Sequence, residues 1–96
     1  VPPSICDGLM ARRPGEAPWA AVRAADVTGI AIDDAAVRRA MKVAFERLKL
    51  VLEPSGAATL AALLAGKVDA EGRTVLLIAS GGNVSLSDFQ RHVADA

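Results

Sequence analysis

Residues 75–83 read Val-Leu-Leu-Ile-Ala-Ser-Gly-Gly-Asn, and this stretch decides the expected fold class. Five consecutive apolar residues followed by two glycines are typical of a strand buried on both faces, which places it centrally in a parallel sheet. Ligands of open α/β sheets bind beyond the carboxyl ends of the strands, where Ser80 would lie. Gly81 and Gly82 would let a flat ligand approach the backbone closely. The same pair is also typical of a plain tight turn between a strand and a helix.

The flanking sequence predicts an alternation of helices and strands. Helices are expected from Pro18 to about Ala25, from about Asp34 to Leu52, from Gly56 to Ala65 and from Ser87 onward, with strands at Val27–Ile32 and Val75–Ala79. This order predicts an α/β architecture that is rich in helix and has few parallel strands. The helix at 56–65 is apolar on all sides, and two strands cannot shield it. The sheet that it packs against is therefore expected to lie outside this chain.

Capping residues stand at the predicted helix starts. Asp33 or Asp34 can cap the long helix, because a carboxylate accepts hydrogen bonds from free amides at that end. Ser55, directly after a helix-breaking proline, is expected to cap the apolar helix. Ser87 with Gln90 three residues later forms a capping-box pattern for the last helix.

The composition excludes several classes of protein. Of the 96 residues, 52% are hydrophobic, and 11 basic residues balance 11 acidic ones, so nothing in the charge favours binding to nucleic acid or to an anionic membrane. No apolar stretch approaches the roughly 20 residues that span a bilayer. Cys6 is the single cysteine, so no internal disulfide can form, and a reducing, cytoplasmic compartment is expected. Cys6 and the single histidine, His92, also exclude the usual zinc frameworks.

Two further positions are candidates for a site. Glu53 stands between a long amphipathic helix and a small-residue helix, where a buried carboxylate would need a partner. A glutamate at a helix end that faces water is the alternative. Gly8 follows Asp7 in what is by itself an ordinary turn. The three lysines, Lys42, Lys49 and Lys67, lie on solvent-type faces or at a helix end, so none of them suits Schiff-base chemistry.

Five motifs in series resemble one family. They are SICDGL at 4–9, RPGE at 13–16, FERLKL at 45–50, EPSGAA at 53–58 and SGGNV at 80–84. Together they resemble the pyridoxal-phosphate-dependent serine/threonine dehydratases, which include threonine ammonia-lyase, serine racemase and hydroxyaspartate ammonia-lyase. The resemblance covers nearly the whole chain.

The resemblance implies a fold-type-II enzyme of the tryptophan synthase β-like kind. Residues 1–96 would be a C-terminal fragment of its large cofactor-binding domain, with no second domain, and a start without methionine agrees with part of a longer protein. The implied cofactor is pyridoxal 5'-phosphate. Ser80 would hydrogen-bond the ring nitrogen, and Gly8 and Glu53 would be neighbours of the ring. The Schiff-base lysine, the phosphate loop and the cation ligands belong to upstream segments, so no catalytic residue and no metal ligand is assigned here.

The function implied is part of an ammonia-lyase that converts L-threonine, L-serine or a related hydroxy-amino acid to a 2-oxo acid and ammonia. The 96-residue chain alone is expected to be inactive. Its expected partners are the small substrate, the remainder of the enzyme polypeptide and, when complete, further copies in a homo-oligomer. An amino-acid racemase of the same family and a non-catalytic regulatory or assembly module remain as alternatives.

Overall fold

Helices form the regular structure of the chain. A computed structural model describes residues 3–94 and 96, and within these residues it contains no β-strand. The α-helices are α1 (Glu16–Ala24), α2 (Asp34–Val43), α3 (Ala58–Leu64) and α4 (Leu86–Ala94). Short 3-10 helices span Asp7–Leu9 and Ser55–Ala57, and a π-helical turn spans Ala44–Leu48. No described helix is long and apolar enough to cross a membrane.

Helix α2 is the centre of the core, and both α3 and α4 pack against it. Its start follows the predicted cap, because the Asp33 carboxylate accepts a hydrogen bond of 2.8 Å from the amide of Ala36. Met41 and Val37 are its largest fully buried side chains. Small residues on the facing helices allow close packing. The buried core comprises Cys6, Ala36, Val37, Ala40, Met41, Ala44, Leu52, Ala57, Ala61 and Phe89.

Helix α2 is shorter than predicted. The α-helical part ends at Val43, the π-helical turn follows, and Lys49 ends it in the left-handed conformation at φ +58°. The apolar periodicity continued to residue 51, but Leu48 and Val51 are exposed. Periodicity does not encode where a helix stops. By leaving the helix early, the chain buries Leu52, which is 5% exposed.

The helix-rich character is confirmed, but the predicted strands at 27–32 and 75–79 are absent from the described residues. A β-strand needs a neighbouring strand to accept and donate its backbone hydrogen bonds. Leu76 and Ile78 are 90% and 71% exposed, so the described residues leave most of the apolar run at 75–79 uncovered. The apolar run indicates that this segment is suited to burial, but hydrophobicity alone does not provide the neighbouring strand that it would pair with.

Helices α3 and α4 differ in detail from the helices predicted from the sequence. Helix α3 is buried on only part of its circumference, since Leu64 at its end is 41% exposed. Helix α4 is capped by Ser85, whose hydroxyl accepts from the amide of Asp88 at 3.1 Å. Ser87, the predicted cap, lies inside the helix. The earlier start also lets the Ser85 carbonyl accept from the amide of Phe89 at 2.9 Å.

Candidate cofactor site

The SGGN motif lies across the EPSG motif. We call residues 78–82 the crossing segment; it passes residues 51–59 in the opposite chain direction. Two hydrogen bonds hold it, from the Thr59 hydroxyl to the Ile78 carbonyl at 2.9 Å and from the Glu53 amide to the Gly81 carbonyl at 3.3 Å. Four successive contacts follow its length, from Ile78 to Thr59, Ser80 to Gly56, Gly81 to Glu53 and Gly82 to Val51.

Glycines make this crossing possible. A Cβ atom placed on Gly56 would lie 2.6 Å from the carbonyl oxygen of Gly81 and closer still to that of Ser80. A Cβ on Gly82 would lie 2.7 Å from the carbonyl oxygen of Val51. These distances are below those that real Cβ atoms show. The obstacle is backbone in each case and cannot rotate away, so both positions require glycine for the observed approach.

The predicted Gly8 is attached to the same region through Ser55. The Gly8 amide donates to the Ser55 hydroxyl at 3.0 Å, although the two residues are 47 positions apart in sequence. The prediction that Ser55 caps the following helix is wrong, since its hydroxyl makes no cap hydrogen bond there. Its oxygen instead fastens the turn Asp7–Leu9 beside the crossing segment.

Asp34 holds the start of this turn against α2. Its carboxylate accepts from the Ser4 hydroxyl at 2.7 Å and from the Ile5 amide at 3.2 Å. The sequence predicted only helix capping for Asp34. Local sequence patterns do not predict hydrogen bonds between residues 29 or 30 positions apart. Asp34 therefore supports the site without belonging to it.

Glu53 and Ser80 complete the arrangement. Glu53 is half-buried, and its carboxylate oxygen lies where a side chain on Gly81 would be. Ser80 is exposed, so its hydroxyl is accessible to a ligand. Gly8 contacts Ser55, the Ser80 backbone contacts Gly56, and Glu53 contacts Gly81. The structure thus groups all three predicted site residues around residues 53–56.

Two other reactive side chains are Cys6, buried directly before the turn Asp7–Leu9, and His92, on α4. Burial raises the pKa of the Cys6 thiol above its ordinary value, which keeps it protonated and unreactive. Burial, and then the charge of Arg38, lowers the pKa of His92, whose Nδ1 is 3.2 Å from the Arg38 guanidinium in the α2–α4 contact. Among the described residues no group of three or more histidine, cysteine, aspartate or glutamate side chains could hold a metal ion.

Comparison with known proteins defines the class. The family model described as "Pyridoxal-phosphate dependent enzyme" matches residues 1–81. The chain therefore belongs to this family, whose cofactor is pyridoxal phosphate, and the resemblance drawn from the five motifs is confirmed.

Its relatives include lyases and a racemase. The chain is 34% identical to a catabolic L-threonine dehydratase of Staphylococcus aureus, over 88% of this chain and 25% of that protein. It is 41% identical to a serine racemase of Oryza sativa subsp. indica, over 86% and 26% of the two chains. For an L-threonine ammonia-lyase of Thermotoga maritima the identity is 29%, over 93% and 22%. The chain spans about a quarter of the length of these curated relatives, and no solved structure gives a significant match.

The residues present fit the cofactor. The crossing segment offers an exposed neutral hydroxyl at Ser80. A hydroxyl can donate to an unprotonated pyridine nitrogen. The donor chemistry of this edge is therefore compatible with the ring end of pyridoxal phosphate.

Proposed function

We propose that this chain is the C-terminal portion of the large cofactor-binding domain of an ammonia-lyase that acts on L-threonine, L-serine or a related hydroxy-amino acid. The products would be a 2-oxo acid and ammonia. The observation that carries the proposal is the grouping of Gly8, Glu53 and Ser80 around residues 53–56. The names of the dehydratase and ammonia-lyase relatives support the reaction class.

In this proposal Ser80 holds the cofactor ring by its nitrogen. When bound, pyridoxal phosphate supplies a ring that accepts the electron pair left behind by the departing α-proton. The Ser80 hydroxyl carries no negative charge, so it does not stabilise a proton on the ring nitrogen. A neutral ring withdraws electrons weakly, which suits a reaction in which a β-hydroxyl leaves soon after the α-proton.

Gly8 and Glu53 border the ring in different ways. The Gly8 amide is already bonded to Ser55, so Gly8 offers backbone surface rather than a free donor. The half-buried Glu53 carboxylate can accept a hydrogen bond from a hydroxyl or ammonium group of the ligand. Both are assigned as contacts that orient the ring.

The lysines support the expectation that the chain alone is inactive. Lys42, Lys49 and Lys67 are all exposed. The Lys49 ammonium donates to the Glu46 carbonyl at 2.9 Å, and that of Lys42 to the Ala96 carbonyl at 3.4 Å. An ammonium group in water lacks the desolvation that activates a lysine for covalent cofactor chemistry. We assign that lysine, and the strands that cover the apolar run at 75–79, to the remainder of the polypeptide.

Partners and location follow from the same proposal. The complete enzyme would be a homo-oligomer in the cytoplasm, where the buried thiol of Cys6 stays reduced. It would bind neither nucleic acid nor membrane.

The test compares Ser80→Ala with Ser87→Ala in the complete polypeptide loaded with pyridoxal phosphate. Formation of 2-oxo acid from L-threonine and L-serine is followed, together with the affinity for the cofactor. Ser80→Ala should lower both, whereas Ser87, an exposed serine of α4, should be replaceable without effect. Unchanged turnover and affinity in Ser80→Ala would refute the assignment.

Racemisation is the second candidate, and the 41% identity to a serine racemase favours it. The same preparation is incubated with L-serine, and D-serine is measured beside pyruvate. Predominant pyruvate supports the ammonia-lyase, and predominant D-serine identifies a racemase.

A further inference from the structure

Backbone contacts at two glycines determine how closely the crossing segment approaches residues 51–59. The carbonyl oxygens of Ser80 and Gly81 both face Gly56, and the carbonyl oxygen of Val51 faces Gly82. The Ser80 backbone therefore forms one of these two close backbone contacts, and the other lies two residues later at Gly82. These backbone contacts fix the position of the exposed Ser80 hydroxyl.

Two hydrogen bonds oppose sliding of the crossing segment when a side chain is added at either glycine. The Thr59 hydroxyl fastens it at Ile78, and the Glu53 amide fastens it at Gly81. A methyl group added at Gly56 meets backbone oxygens that have no rotamer to change. Relief requires the backbones of Ser80 and Gly56 to move apart, which changes the position of the Ser80 hydroxyl relative to residues 53–56.

We propose that Gly56 and Gly82 are positioning residues whose missing side chains set the place of the Ser80 hydroxyl for the ring nitrogen of the cofactor. Neither glycine touches the cofactor in this proposal. The inference rests on the proposed role of Ser80, and its test is built to separate the two.

The test uses the complete polypeptide in its apo form and two ligands, pyridoxal phosphate and the analogue in which carbon replaces the ring nitrogen. Losing one hydrogen bond to the ring should make the analogue bind about three- to tenfold more weakly in the unaltered protein. Gly56→Ala and Gly82→Ala should each reduce that preference to less than about twofold, as Ser80→Ala should. Gly29→Ala is the matched control, because a Cβ there meets nothing within 4 Å. It should keep the full preference.

The preference between ligands separates positioning from general damage, since a purely structural defect weakens both ligands alike. If the unaltered protein shows no preference, the proposed Ser80 role fails. If Ser80→Ala removes the preference but both glycine variants keep it, the positioning inference alone fails. Should one glycine variant not fold, the other decides. If neither folds while Gly29→Ala does, the glycines serve the fold as a whole, and the inference is overturned.

Discussion

Replacing Gly81 by alanine tests the turn that brings the SGGN motif against Glu53. Gly81 has φ +80°. An L-residue in this left-handed region is strained by about 1–2 kcal/mol. The added methyl would also meet the Glu53 carboxylate. Turning that flexible side chain aside costs about 0.5–1.5 kcal/mol. The free energy of unfolding should therefore fall by about 1.5–3.5 kcal/mol.

Two other glycines provide matched controls. Gly66 and Gly72 have φ +72° and +68°, and a Cβ on either meets nothing within 4 Å. Alanine at these positions should show the backbone strain alone, about 1–2 kcal/mol. Urea unfolding followed by circular dichroism gives all three values. A double-mutant cycle of Gly81→Ala with Glu53→Ala should return the side-chain part as a coupling energy. Zero coupling, with equal losses at the three glycines, would refute the contact.

Three further outcomes are expected. Met41→Ala should cost about 2–5 kcal/mol in urea unfolding, because Met41 is fully buried. Ser85→Ala should cost about 1 kcal/mol and Ser87→Ala far less, since only Ser85 caps α4. His92 has a lowered pKa in the fold, so the folded state resists its protonation, and stability should fall as the pH drops below about 6.5, the ordinary value. His92→Gln should flatten that part of the pH profile, and an unchanged slope would contradict the partly buried contact with Arg38.

Structural features that depend on residues close together in the chain, such as helix caps and buried helix faces, were predictable from the sequence. The Asp33 cap depends on an amide three residues away, and the structure confirms it. The early part of the α2 stripe, including Val37 and Met41, is buried as its spacing predicts. The choice of Ser85 over Ser87 is a limit of such reasoning, because either serine could cap a helix by accepting from an amide three residues later.

Contacts between residues far apart in the chain could not be predicted from local sequence patterns. The hydrogen bond from the Gly8 amide to the Ser55 hydroxyl joins residues 47 positions apart, and neither motif predicts it. Gly56 stood in the sequence as an ordinary helix-start residue, and its contact with the Ser80 backbone emerged only in three dimensions. The grouping of Gly8, Glu53 and Ser80 was expected through the resemblance to a family. The predicted strands failed because apolar patterns record burial and do not specify which segment provides it.

The protonation state of the cofactor ring tests the central proposal most directly. The complete enzyme is loaded with pyridoxal phosphate labelled with ¹⁵N in the ring, and the nitrogen resonance is recorded by NMR. The Ser80 hydroxyl predicts a neutral, hydrogen-bonded nitrogen whose resonance moves in Ser80→Ala, and a protonated nitrogen in Ser80→Asp, because a carboxylate stabilises the proton. A protonated ring in the unaltered enzyme, or a resonance indifferent to Ser80→Ala, would contradict the assignment of Ser80.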